Sequence, residues 1–456
     1  MPDVKASDRL ISLDVFRGMT IAAMILVNNP GTSPVYWPLE HAEWNGLTPT
    51  DWIFPFFLFI VGVAIPISLK GRNPTGRGGA LHRSGVYTKI ITRAASIFAL
   101  GLAISVLPFF QFAATDAPDW LKMLIWMTFA AALFSLLLRN FKIAGILAGV
   151  AVLGIVAMVL AGYTVVPYSL GTMRIFGVLQ RIAICYLVAS LVFLHTNWKQ
   201  QLGIAIGLLL VYWFLMINVP VPGCEVTSMN DKACNLAAYL DRLILGENHI
   251  WRFGKVYDPE GILSTLPAIA TTISGVLTGS WLLKGSPPYK GGVAAASADG
   301  VVLSADRSNK VSGLFFFGTV LVALGWMWNS YFPMNKALWT SSYVVVTTGL
   351  ALLTFACCYW LIDIKGYKKW AWPFVVFGVN ALALFVFSGI FARMISAYRV
   401  STIYEKPVSV QKWIVDNVYL VLFQPINASL AYAICFILFW FFLMWLLYLK
   451  GIYVKV

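Results

Sequence analysis

Residues 51–69 read Asp51-Trp52-Ile53-Phe54-Pro55-Phe56-Phe57-Leu58-Phe59-Ile60-Val61-Gly62-Val63-Ala64-Ile65-Pro66-Ile67-Ser68-Leu69, with one carboxylate at the start and no further charge until Lys70. A helix crosses the hydrocarbon core of a bilayer with about 20 mainly apolar residues, and no other open structure satisfies its backbone there. The stretch therefore predicts a membrane span. Moving outward with the same length rule gives twelve candidate spans, at residues 11–29, 51–69, 90–111, 121–138, 143–162, 176–194, 202–219, 262–283, 312–330, 341–362, 372–394 and 428–449. The expected fold class is all-α, a polytopic membrane bundle of about 12 transmembrane helices. Composition agrees: 59% of residues are hydrophobic and 11% charged, where a soluble domain carries roughly a quarter charged. The formal charge of +14 is spread over short loops beside apolar runs, which reads as a topology signal and excludes a nucleic-acid face.

Orientation follows from Lys and Arg in short loops. The segment after residues 51–69 carries Lys70, Arg72, Arg77, Arg83, Lys89 and Arg93, whereas 30–50 carries neither residue type. Both termini are thus expected in the cytoplasm, with the 30–50 segment on the other side. Arg139 with Lys142, Lys199, Lys284 with Lys290, Lys365 with Lys368 and Lys369, and Lys450 with Lys455 fall inside in the same scheme; Arg399, Lys406 and Lys412 oppose it. The polar start Met1-Pro2-Asp3-Val4-Lys5 predicts no cleavable signal. Residues 1–456 read as one membrane domain, with an extracytoplasmic loop at 220–261 and a Gly-, Ala- and Ser-rich cytoplasmic linker at 284–311. Cys185, Cys357, Cys358 and Cys435 lie in apolar runs as packing residues, while Cys224 and Cys234 share the 220–261 loop, either bridged or free.

Between the first two apolar runs sits a polar island, Glu40-His41-Ala42-Glu43-Trp44-Asn45-Gly46-Leu47. An imidazole titrates near neutrality and serves proton transfer or nucleophilic attack. The alternative is a solvated loop histidine. Asp51 is placed either to cap the following helix, to fix the His41 tautomer, or both. Asn28, in Val27-Asn28-Asn29-Pro30-Gly31, is either an oxyanion donor or a turn residue. Tyr36, Trp37, Trp44 and Trp52 form an interfacial aromatic belt or a sugar-stacking surface.

Asp14 and Arg17 stand three apart, hence on one helix face. Their pair either orients Arg17 toward a phosphate-bearing ligand or anchors the helix end. Gln180 and Arg181 enter an apolar run in Met173-Arg174-Ile175-Phe176-Gly177-Val178-Leu179-Gln180-Arg181. A charge there is costly and faces a cavity or a partner, unless it snorkels. His249, Asp258 and Glu260 precede the eighth span, and Asn335, Lys336 and Asn380 lie near the ninth to eleventh. No metal spacing, Walker loop, dinucleotide fingerprint or nucleophile elbow occurs, so no metal is expected.

Together, Leu13-Asp14-Val15-Phe16-Arg17-Gly18, Val27-Asn28, His41-Ala42-Glu43-Trp44-Asn45-Gly46-Leu47-Thr48, Asp51 and Phe54-Pro55-Phe56-Phe57 resemble the heparan-α-glucosaminide N-acetyltransferase family of transmembrane acyltransferases. The likeness continues through Gly177-Val178-Leu179-Gln180-Arg181, Tyr257-Asp258-Pro259-Glu260-Gly261, and Asn335-Lys336 with Leu338-Trp339-Thr340. Residues 121–138 and 143–162 look like an addition to the pattern. The resemblance implies a bacterial-type homologue in the cytoplasmic (inner) membrane that moves an acetyl group from cytoplasmic acetyl-CoA to the amine of a glucosamine-type sugar or glycan across the bilayer, with a homodimer plausible. It implies catalysis by His41, as base or acetyl carrier, with Asn28 and Asp51. Arg17, Asn28, Gln180, Arg181 and Asn380 are then expected at the acetyl-CoA, and Trp44, Asn45, His249, Asp258, Glu260, Asn335 and Lys336 at the acceptor.

A rival reading is a proton-coupled transporter of sugars or small metabolites, with His41, Asp51 and Arg181 as relay groups. The lack of an evident internal repeat and the loop position of His41 argue against it.

Overall fold

A computed structural model of the chain describes residues 10–69, 80–283, 296–400 and 406–454, without the side chains of 80–84 and 296–307. Among the described residues, eleven helices are long and apolar enough to cross a membrane, and the bent pair Trp372–Val379 and Ala381–Ala397, counted as one span, makes a twelfth. This is an all-α, multi-pass membrane protein. Every apolar run singled out above corresponds to one of these helices. Extended pairing among the described residues is confined to the ribbon of Arg399–Val400 with Val408–Ser409 and an isolated bridge between Phe110 and Pro167.

Three segments differ in detail from the sequence reading. The third span ends at Val106 rather than at residue 111; Pro108, with no N–H to donate, stands just beyond, and Phe109 then turns into the left-handed region at φ 72°. The stretch expected as one span over 372–394 bends by 80° at Asn380. Of the connector expected at 284–311, residues 284–295 lie outside the described residues, and from Ala296 the backbone is helical through Asn329. Lys70, Arg72, Arg77, Lys284, Lys290 and Lys455, used above for orientation, also lie outside, as does the Arg83 side chain.

The chain divides into two compact units. The first comprises Met1–Thr20, His41–Ala99 and Arg174–Val375; the second comprises Ile21–Glu40, Leu100–Met173 and Val376–Val456.

In the first unit the helices Pro49–Leu69 and Thr265–Leu283 cross with their backbones nearly touching. A β-carbon added to Gly62 would lie 2.0 Å from the Thr272 carbonyl oxygen, and one added to Gly275 would lie 2.1 Å from that of Phe59. Inside a bilayer, where lipid tails are as apolar as leucine, such close approach supplies the dispersion contact that holds helices together. Around this seam pack Leu58, Ile65, Ile269, Ile273, Trp339 and Tyr343. On the other side of the helix Pro49–Leu69, Phe16 meets Phe56 with centroids 5.3 Å apart and Phe355 at 6.0 Å. The crossing fixes the start of that helix, and with it Asp51.

In the second unit Asp119–Leu137 and Phe141–Leu160 form a helical hairpin. Arg139 takes the left-handed turn at φ 61°, and the Asn140 side chain caps the next helix by accepting from Ile143 N. Lys122 is buried; it donates to the carbonyls of Phe112 and Thr115 at 2.9 and 3.1 Å and pairs with Asp119 at 2.8 Å. Ile146, Leu153 and Leu160 stay exposed, as suits a surface facing lipid.

Candidate active site

His41 and Asp51 are ten residues apart in sequence, and the loop between them folds back so that Nδ1 of His41 lies 2.7 Å from Oδ1 of Asp51. A carboxylate only accepts, so this contact is made by the tautomer that carries its proton on Nδ1 and its lone pair on Nε2. The Asp51 side chain is 1% exposed, whereas that of His41 is 50% exposed: the carboxylate is buried and the imidazole is half open.

Burying a carboxylate is costly unless its lone pairs are filled. Here Oδ2 accepts from Ala42 N at 3.3 Å, Thr48 N at 3.1 Å and Thr48 Oγ1 at 3.0 Å, while Asp51 N donates back to Thr48 O. These bonds form the cap that starts the second span, so one carboxylate both caps the helix and orients the imidazole. Tyr343 OH adds a bond of 2.6 Å to the Asp51 carbonyl.

Lys336 completes the group. Its Nζ lies 3.4 Å from Asp51 Oδ1 and 2.9 and 3.4 Å from the two ring nitrogens of His41. Burial pushes the Lys336 ammonium below the usual lysine range, while Asp51 and Glu260 pull it back. Asn335 sets the loop that carries Lys336: it is fully buried, and its carbonyl accepts from Leu338 N at 2.8 Å. Its amide donates to Asn45 Oδ1 at 3.1 Å, and Gly46 N donates to the Met334 carbonyl at 2.8 Å, so the His41 and Lys336 loops are stitched together. Gly46 adopts φ +122°, which a side chain would resist.

The 220–261 segment closes over this loop. Trp44 Nε1 donates to Met229 O at 2.8 Å, Asn45 donates to Asn230 at 2.6 Å, and Trp44 meets Tyr257 edge to face at 5.0 Å. Cys224 and Cys234 are bridged, with Cα atoms 5.8 Å apart. Behind it runs an ion network. Arg174 binds Asp258 through Nε at 2.9 Å and Nη2 at 2.5 Å and also binds Glu260. Burial raises the Asp258 carboxyl above the usual range against the pull of Arg174, and it pushes Asp241 up to about 6. Asp241 accepts from Ile262 N at 2.8 Å and lies against Gly261.

Arg181 is fully buried; Nη2 donates to Gly261 O and Ser264, and the guanidinium lies over the Trp339 ring at 5.1 Å. Gln180 is buried beside it with its carbonyl against Gly177. His249 shapes the turn before Ile250, its carbonyl accepting from Ile175 N at 3.1 Å. Arg17 pairs with Asp14 at 3.2 Å on the first span.

The structure thus brings together His41, Asp51, Lys336, Asn335, Asn45 and Trp44, with Glu260 near enough to act on the Lys336 charge. Asn28 and Asn380 belong to the second unit. Both ends of the Asn380 amide are occupied there, donating to Ile452 O at 3.0 Å and accepting from Val454 N at 2.9 Å. Thr48 and Asp241 went unread in the sequence: a threonine before a Pro-Thr-Asp turn signals only a cap, and an aspartate on the short amphipathic helix Leu236–Leu245 signals only a polar face.

A family model described as heparan-alpha-glucosaminide N-acetyltransferase, catalytic, matches residues 9–170, a range that holds both His41 and Asp51. The human heparan-alpha-glucosaminide N-acetyltransferase is 26% identical over 422 residues, covering 83% of this chain and 52% of the human one. The chain is similar to this protein over most of its length. The mouse heparan-alpha-glucosaminide N-acetyltransferase is 25% identical over 423 residues, 84% of this chain and 53% of its own length. The chain therefore spans about half the length of these two family members.

Proposed function

We propose that this chain is a transmembrane N-acetyltransferase that moves the acetyl group of cytoplasmic acetyl-CoA to the amine of a glucosamine-type sugar on the opposite side of the membrane. The observation that carries the reading is the His41–Asp51 pair: a half-exposed imidazole whose Nδ1 proton is held by a buried, saturated carboxylate. That leaves Nε2 as the base or nucleophile. The names of the family members supply the amino-sugar class of acceptor.

In the direct route Nε2 takes a proton from the acceptor amine as its nitrogen attacks the thioester carbonyl. The new C–N bond forms, the C–S bond breaks, and the CoA thiolate leaves with a proton returned from the imidazolium. In the stepwise route Nε2 attacks first, the C–S bond breaks and CoA leaves as the thiolate; the amine then attacks the acetyl-imidazolium, the N–C bond to the ring breaks, and the proton lost by the amine balances the thiolate. In both routes Asp51 stabilises the positive ring, and the Lys336 ammonium faces the negative charge that develops on the carbonyl oxygen. Trp44 and Asn45 offer a stacking face and an amide for a sugar. Arg174, Asp258 and Glu260 hold the wall behind them.

The test is mass spectrometry of products after the purified chain is incubated with labelled acetyl-CoA and a panel of amino sugars. We expect a labelled N-acetyl product from the unaltered chain and none above background from His41→Ala. Normal product formation by His41→Ala overturns the mechanism.

A further inference from the structure

The second unit holds a cavity of about 450 Å³ whose lining includes none of His41, Asp51 and Lys336. It is lined by Asn28, Asn29, Trp126, Arg393, Ser396 and Gln411 among others, and no carboxylate among the described residues lines it. Two of its donors are stranded. Nη2 of Arg393 and Nε1 of Trp126 are both buried, and neither has a hydrogen-bond acceptor among the described residues; Trp126 is only 4% exposed.

The other polar walls are largely engaged. Asn29 donates to the Ile25 carbonyl at 2.8 Å, Ser396 donates to Gln411 Oε1 at 2.6 Å, and Gln411 donates to Pro30 O at 3.4 Å. Those bonds hold the walls in place and leave the guanidinium and the indole N–H as the unfilled donors. A half-buried guanidinium with no counter-ion among the described residues and a buried N–H with no acceptor there are each unfavourable. One acceptor-only group entering between them removes both deficits.

We propose that this cavity binds an oxyanion, a phosphate or carboxylate group, gripped by the planar fork of Arg393 and the N–H of Trp126, with the exposed amide of Asn28 at its mouth. Arginine suits the task because its parallel N–H groups match the spacing of two oxygens on one acid group. Trp126 adds a third, fixed donor. The group arrives either on a free solute or as the headgroup of an anionic lipid.

The experiment uses the full chain purified in neutral detergent, with Arg393→Gln and Trp126→Phe beside it. Trp126→Phe keeps the ring and removes only the N–H, so it reports on binding even if Arg393→Gln fails to fold. One arm follows the thermal midpoint as inorganic phosphate or acetate replaces chloride at constant ionic strength. The other weighs phosphatidic acid against phosphatidylcholine retained from mixed vesicles, by native mass spectrometry. We expect saturable binding of at least one anionic probe, roughly ten- to hundredfold weaker in Arg393→Gln and severalfold weaker in Trp126→Phe. A response to phosphate or acetate assigns a free solute, and selective retention of phosphatidic acid assigns a headgroup. If no anionic probe binds, or if Trp126→Phe binds as well as the unaltered chain, the proposal fails. Loss of acetyl transfer in His41→Ala leaves these readouts unchanged, so the two proposals fail independently.

Discussion

Asp51 collects donors from His41, Lys336, Ala42 and Thr48 at once, and this explains how a carboxylate persists at 1% exposure. The two roles separate on substitution. Asp51→Asn keeps an acceptor for Thr48 and so retains the cap, but an amide can present its NH₂ to Nδ1 and favour the other tautomer. Acetyl transfer is expected to fall by about 10²–10⁴-fold, with the thermal midpoint little changed. A matching collapse of stability would instead make Asp51 a cap alone. Asp241 gives a pH prediction. Its carboxyl titrates at about 6 in the fold against 3.8 for an unperturbed group, so the folded state holds the proton more tightly than the unfolded chain. Its contribution to stability is therefore full below about pH 4, declines as pH rises toward 6, and is flat above that. The loss is on the order of 3 kcal/mol. Thermal midpoints at pH 5 and pH 7 should differ more in the unaltered chain than in Asp241→Asn, and equal differences would refute the assignment.

At the level of elements, the decisive contact is the crossing of Pro49–Leu69 with Thr265–Leu283. Gly62→Val or Gly275→Val places a branched side chain where a backbone oxygen already sits, and no rotamer avoids it. Either change should abolish folded protein, read as loss of the monodisperse peak in detergent chromatography; a normal yield would show that the helices separate cheaply. The spans themselves were legible because hydrocarbon thickness sets their length and a run of about 20 mainly apolar residues has no other stable home. Less legible was the bend at Asn380, since nothing in Phe377-Gly378-Val379-Asn380-Ala381 forbids a straight helix; the amide's bonds to residues 452 and 454 exist only after the tail has folded back. For the same reason the site was half legible. His41 and Asp51 share one loop, and Asn335 and Lys336 came from the resemblance. That Lys336 touches the imidazole depends on a contact across 295 positions. Arg393, a charge inside an apolar run, went unread because no local partner in the sequence marks it.

For the whole molecule, the expected topology gives an experiment of its own. Glu43, beside His41, and Lys199, at the start of the seventh span, are both exposed. With the expected orientation, Glu43→Cys reacts with a membrane-impermeant maleimide on intact cells, while Lys199→Cys reacts only after permeabilisation. Labelling of both from one side would remove the transmembrane character of the proposed transfer. The tail carries a practical lesson as well. Because Ile452 and Val454 lend their backbone to the Asn380 amide, the last few residues act as a clasp on a kinked helix. Cutting the chain before residue 452 should therefore loosen the kink far away in sequence.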